Sequence, residues 1–317
     1  MNGYKKVAAV GLFVGIASVL SNPAAHADDP LAGSDTAIIL GGTTEPTPST
    51  AFAQAAENLF LNPLGFDGGA TSSTVCDMIG TDPCAAPLQV LTTPELIQQG
   101  PSSLTAADDV VLAVENEFTA NPGAFSASDP LTIFGYSQSA TAESIAMSRL
   151  EADGIPPADL HFVFIGDPSL ADTGAWPNLV PDLDSLFGTS VTNTLLTDVG
   201  FDGILGNVTP GDLYPTTIYT LAGDGVAQFQ PDFESGGLLG TIEGLFLQHV
   251  EYLGLTPAEI ADATITTNGA DLTYVDIPDN FNNADAWLSA VFEHGAAGSG
   301  LLESVFQSLE LYLTNSF

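Results

Sequence analysis

Leu131-Thr132-Ile133-Phe134-Gly135-Tyr136-Ser137-Gln138-Ser139 carries an apolar, β-branched run straight into a turn of glycine, serine and glutamine. Residues 140–152, which follow, are good helix formers throughout, and His161-Phe162-Val163-Phe164-Ile165 is a second apolar run that stops at Gly166-Asp167-Pro168. Strand, helix and strand within about 35 residues is the unit of a parallel sheet, whose crossovers are right-handed. Two further runs have the same form. Residues 36–40 lead into Gly41-Gly42-Thr43-Thr44, and residues 216–221 into Ala222-Gly223-Asp224-Gly225. Every one of these strands reaches a small-residue loop at its C-terminal end, where open α/β sheets build their sites. The expected fold is α/β, a mainly parallel central sheet flanked by helices.

Helices are expected over residues 49–60 and over 103–118. In the second, Leu104, Val110, Val111, Val114 and Phe118 fall on one face, Ser103 or Thr105 serves as cap, and Asn121-Pro122-Gly123 ends the helix. The chain reads as helical again from Gly236 onward, with a helix start at Thr256-Pro257-Ala258-Glu259. Residues 169–213, rich in Gly, Asp, Asn, Leu and Phe without a sustained period, read as a partly helical lid insertion. No internal repeat and no long linker divides the chain, so residues 28–317 are expected to form a single domain.

Composition narrows the function classes. Of 317 residues, 45% are hydrophobic, enough for a large core, which excludes a disordered acidic tail. There are 39 acidic residues against 3 basic ones. Lys5 and Lys6 precede an uncharged apolar run, residues 7–20, and Ala25-His26-Ala27 has the small-x-small form that signal peptidase cuts after. The run is shorter than the roughly 20 residues a spanning helix needs, so residues 1–27 read as a cleaved export signal, with a secreted or cell-envelope protein beginning at Asp28. Arg149 is then the only Lys or Arg left. With almost nothing to neutralise phosphates, nucleic acid is a poor partner. The carboxylates repel one another, an effect salt relieves. No calcium-loop pattern is present, Asp182 and Asp184 alone do not make one, and neither metal nor cofactor is expected. Cys76 and Cys84, the only cysteines, would share an oxidising compartment and are expected to pair.

Gly135-Tyr136-Ser137-Gln138-Ser139 matches the nucleophile elbow G-x-S-x-G at every position but the last, between a strand and a helix as that motif requires. The plainer alternative is a βα turn in which Ser137 only caps the helix. A serine nucleophile needs a base, and His is the usual one. His161, His249 and His294 are available. His161 opens the strand after the elbow helix, on the opposite edge of the sheet, and reads as structural; His249, 25 residues after Asp224, fits the order Ser, Asp, His of this architecture; His294 is the second choice. Asp224 follows a strand between two glycines and is favoured as the acid over Asp167, which precedes a proline.

Gly41-Gly42-Thr43, the elbow, residues 162–168, Asp224-Gly225-Val226-Ala227-Gln228-Phe229 and His249 together resemble the PE-PPE domain of mycobacteria and related actinobacteria, over about residues 36–260. The resemblance implies a cutinase-like α/β-hydrolase fold, with Ser137 as nucleophile, Asp224 as acid and His249 as base. Gln228 and Gln230 stand where the family usually has an acidic residue and a proline, and an export signal stands where its PE or PPE module would be. A Ser, His and Asp triad of this kind attacks an ester carbonyl, with the oxyanion held by the Gln138 N–H and an N–H of the Gly42-Thr43 loop. The resemblance points to fatty-acyl esters, with cell-envelope glycolipids as natural substrates and peripheral association with envelope lipids. Acyl transfer between glycolipids uses the same triad. A peptidase would show a polar groove instead of an apolar cleft beside Ser137, and a non-catalytic envelope binding protein would keep the fold alone.

Overall fold

The computed structural model describes residues 29–68, 73–269 and 271–279, with 287, 289 and 290 beyond them. The expected export signal, 1–27, and His294 lie outside the described residues. In chain order the elements are strand β1 (Ala37–Ile39), helix α1 (Thr50–Ala56), strands β2 (Val75–Asp77) and β3 (Leu88–Val90), helix α2 (Gln99–Ala120), strand β4 (Leu131–Tyr136), helix α3 (Gln138–Ala152), strand β5 (Leu160–Ile165), helices α4 (Ala175–Phe187) and α5 (Thr189–Asp198), strand β6 (Thr216–Leu221), helices α6 (Phe229–Phe246) and α7 (Pro257–Ala261), and strands β7 (Thr264–Asn268) and β8 (Leu272–Ile277).

The strands form one eight-stranded sheet in the order β2-β3-β1-β4-β5-β6-β8-β7. All neighbours pair in parallel except β7, which runs antiparallel to β8 at the edge. Successive side chains of a strand point to opposite faces, so both faces of a sheet this apolar must be covered. Ile39, Phe134, Tyr136, Val163, Ile165 and Tyr219 pack with Phe52 and Phe60 on one face. Ile38, Leu40, Ile133, Phe162, Phe164 and Ile218 pack on the other with Val110 and Val114 of α2 and Ala146, Met147 and Leu150 of α3. Each such side chain, fully buried, contributes about 1.5–3 kcal/mol to the fold.

After β1 the chain moves outward to β2 and β3, then returns to place β4 on the other side of β1. This makes the β1/β4 border the switch point of the sheet, and the crevice beyond the strand ends there is where such folds bind ligands. The loop carrying Gly42 and Thr43 leaves β1 at that border, and Ser137 leaves β4 beside it.

Two expectations are corrected. The second helix begins at Gln99, with Pro101 in its first turn, so Ser103 and Thr105 lie inside it and neither caps it. Thr105 Oγ1 instead donates to the Pro101 carbonyl one turn back. The segment after Gly236 is not helical throughout, since β7 and β8 close the sheet. The first helix, capped by Ser49 Oγ accepting from the Phe52 N–H, covers its expected span, α-helical to Ala56 and continuing as a wider helical turn over Glu57–Leu61. Thr256 and Glu259 form a reciprocal capping box at α7, as their spacing predicts. Cys76 and Cys84 are joined as a disulfide.

Candidate active site

At the end of β4 the backbone of Ser137 takes φ 58° and ψ −111°, a conformation few non-glycine residues adopt. Such strain persists only where the surroundings enforce it, and it lifts the serine side chain above the sheet. The Ser137 N–H donates to the Ile165 carbonyl at 3.1 Å, and Ser139 Oγ accepts from the Tyr136 N–H and donates to its carbonyl. Ser139, where glycine is usual, thus ties the turn together. Gly135 has no such latitude. A Cβ there would come within 2.5 Å of the Glu143 carboxylate from α3.

His249 sits on the short turn that follows α6, and Tyr136 Oη donates to its carbonyl oxygen. Its Nε2 lies 2.7 Å from Ser137 Oγ, and its Nδ1 lies 2.8 and 3.0 Å from the two oxygens of Asp224. Asp224 Oδ1 also accepts from the N–H groups of Val226 and Ala227, and Oδ2 from Tyr252 Oη at 2.7 Å. Burial alone would raise the Asp224 carboxyl; the positive charge available on His249 and these hydrogen bonds outweigh it and hold the group below the ordinary carboxylate range. The loop carrying Asp224 is pinned by α6, whose Thr241 carbonyl would lie 1.9 Å from a Cβ on Gly225. Only glycine lets the two backbones approach so closely.

Ser137, His249 and Asp224, each buried, therefore form one continuous chain of hydrogen bonds. A hydroxyl joined to an imidazole whose far nitrogen is held by a carboxylate is the geometry that removes the hydroxyl proton as the oxygen attacks. Thr43 lines the same cavity as Ser137 and accepts from Gln99 Nε2 at 2.8 Å through its side chain. Gln138 is the first residue of α3, so its N–H has no intrahelical acceptor. Gly42 precedes Thr43 in the loop and is buried with it.

The other sequence candidates stand apart. His161 lies in β5, bonded to Thr217 Oγ1 at 3.0 Å, and burial pushes it down to about 4, which leaves it neutral. Asp167 receives the Ser169 N–H and the Thr209 hydroxyl instead of a histidine. Tyr252 and Gln99 carry no sequence signal as site residues, because only the folded chain brings them there; Tyr136 stands in the elbow, but its bond to His249 is a product of the fold.

A cavity of about 360 Å³ opens onto Ser137 and His249. Its walls are apolar, with Trp176, Leu179, Phe201, Val226, Phe229 and Leu245 contributing. Residues 169–213 do supply helices, α4 and α5, which pack with Phe229 of α6 into a small core of their own above the sheet ends. Trp176 Nε1 anchors this cap by donating to Thr141 Oγ1 of α3. A separate depression of about 420 Å³, lined by Asp35, Glu117 and Asp129, lies at the opposite ends of the strands and contains none of these groups. Among the described residues no cluster of His, Cys, Asp and Glu could hold a metal ion, and no helix is long and apolar enough to cross a membrane.

A family model described as the PE-PPE domain matches residues 84–281, a span that contains Ser137, Asp224 and His249. The uncharacterized PPE family protein PPE28 of Mycobacterium tuberculosis (strain ATCC 25618 / H37Rv) is 30% identical over 238 residues, covering 73% of this chain and 31% of its own. Esterase PE16 of the same organism is 27% identical over 273 residues, covering 83% of this chain and 46% of its own. The chain thus spans less than half the length of either relative. Among solved structures, a cutinase-like protein from Cryptococcus sp. is similar over 71% of this chain and 92% of its own, at 19% identity and a TM-score of 0.35.

Proposed function

The chain belongs to the PE-PPE domain family, and from that premise we propose that it is an exported serine esterase acting on fatty-acyl esters. The observation that carries this reading is the strained Ser137, hydrogen-bonded to a histidine that Asp224 holds from behind. In the proposed reaction His249 Nε2 takes the proton from Ser137 Oγ as that oxygen attacks the ester carbonyl. The oxyanion that forms is met by the N–H groups of Gln138 and of the Gly42-Thr43 loop. His249 then gives the proton to the departing alcohol oxygen, leaving an acyl group on Ser137, and the same steps with water release the acid.

The apolar cavity favours an acyl chain over a peptide, which would need polar partners for its backbone. At roughly 30 Å³ for a water-sized unit, the space beside Ser137 takes about a dozen methylenes. The likeness to a relative named an esterase supports the same choice. Export rests on the N-terminal segment, and the Cys76–Cys84 disulfide suits an oxidising compartment. Envelope glycolipids are the natural esters such a protein would meet.

Hydrolysis of nitrophenyl esters of increasing acyl length tests this. The rate per enzyme should rise with chain length up to about twelve carbons, and Ser137→Ala should lower it at least about a thousandfold. No hydrolysis at any length by folded protein, or undiminished hydrolysis by the Ser137 variant, would overturn the reading.

A further inference from the structure

Three residues of the cavity wall are also exposed at its mouth: Ile97 at 43%, Val199 at 40% and Ile242 at 42%. Two exposed apolar stripes run outward from that mouth. On α5, Val191 and Leu195 stand four residues apart and lead to Val199 at the end of the helix, while Thr192 and Leu196 turn inward. On α6, Leu238 and Ile242 stand four residues apart on one face, with Leu239 beside them. Side chains spaced by three or four residues lie along one side of a helix, so each stripe is continuous.

We propose that this apolar collar seats the protein on an uncharged lipid surface, so that an acyl ester enters the Ser137 cavity directly from the lipid phase. The inference rests on the esterase reading and extends it to where the substrate is met. Two observations choose the occupant. First, the stripes are continuous with the cavity walls, so a chain leaving a lipid phase would pass along apolar surface all the way to Ser137. Second, the sequence has no Lys or Arg after Arg149, while Asp182, Asp184, Asp198, Asp232, Glu234 and Glu243 lie on the three cap helices. The usual attraction of basic helices to anionic lipid is absent and replaced by repulsion, which leaves apolar burial at a neutral surface as the driving force.

The test uses the chain beginning at Asp28 and a variant carrying Val191→Ser, Leu195→Ser and Leu239→Ser, positions that do not line the cavity. Flotation with phosphatidylcholine vesicles should recover the parent protein. Binding should persist in high salt, weaken when anionic phosphatidylglycerol is mixed in, and fall roughly tenfold or more in the variant. Hydrolysis of a soluble short-chain nitrophenyl ester should be equal in the two proteins, while hydrolysis of a long-chain ester embedded in the vesicles should fall with binding. Parent protein that fails to float, or a variant that floats equally well, overturns the proposal. So does a concentration-dependent dimer abolished by the three serines, or vesicle binding seen only after removal of residues 291–317, since a second copy or the chain's own end would then occupy the collar. Loss of hydrolysis of both esters with vesicle binding intact would instead strike at the esterase reading.

Discussion

Tyr252 stands three residues after His249, and its hydroxyl has both of its roles fixed. It accepts the Leu221 N–H at 2.9 Å, which turns its own hydrogen toward Asp224 Oδ2. The tyrosine therefore acts as a positioning residue. It disperses the carboxylate charge and fixes the plane from which Asp224 holds the imidazole. Tyr252→Phe should lower kcat about tenfold, the worth of one hydrogen bond to a charged group, and leave KM unchanged. One of the bonds that hold the Asp224 carboxyl down is then gone, so the acid limb of the rate profile should move to higher pH. Paired rate profiles of parent and variant check this. A variant with a lower melting temperature but the same kcat and the same acid limb would mean that Tyr252 only packs.

Burial and length decide which elements the sequence reveals. β4, β5 and β6 are six-residue runs, buried at every position, rich in β-branched and aromatic residues and followed by turns of small residues, so their extent and their ends are both visible. β2 and β3 have three residues each, and β3 places a glutamine between its apolar residues; pairing with the neighbouring strand, not local preference, makes them strands. β7 and β8 were obscured by the helical stretch before them. Thr264-Ile265-Thr266-Thr267 is nonetheless β-branched throughout, and β7 can be fully exposed because it is an edge strand. The cap was half visible. α4 and α5 fall in the expected insertion, but its third helix, α6, comes from beyond β6, and the glycine at 237, with φ 61°, breaks the helical pattern there. In the site, Ser137, Asp224 and His249 could be placed together because strand ends and chain order constrain them. Gln99 and Tyr136 act through partners distant in sequence, which no local pattern reveals.

Across the whole molecule, acid dominates. The chain carries 39 carboxylates against 3 Lys and Arg, and Arg149 is engaged with Asp108. Some of the carboxylates are buried on and around α3. Burial pushes Glu95 up to about 8 and Asp167 up to about 6, and burial with the nearby charges of Glu95 and Asp167 drives Glu143 well above the usual range. Each is raised above its unfolded value, so the folded chain holds protons that the unfolded chain has released. Their contribution to stability is full below about pH 4 and is lost as pH rises through about 6 for Asp167 and about 8 for Glu95. Asp224 acts in the opposite sense, losing its contribution as pH falls through its depressed value. Melting temperature should therefore decline from about pH 5 to pH 8.5, and added salt should raise it more at the upper end, where self-repulsion is greatest. Calorimetry across that range with and without salt is the check; a melting temperature that climbs with pH would contradict it.

The proposed nucleophilicity of Ser137 depends on its hydrogen bond to His249. Its most direct measurement is labelling of the folded protein with a fluorophosphonate, followed by peptide mass spectrometry, beside His249→Ala. A single label on Ser137, lost when His249 is replaced, is the expected result. Folded protein that stays unlabelled, or a label carried by another serine, would contradict it.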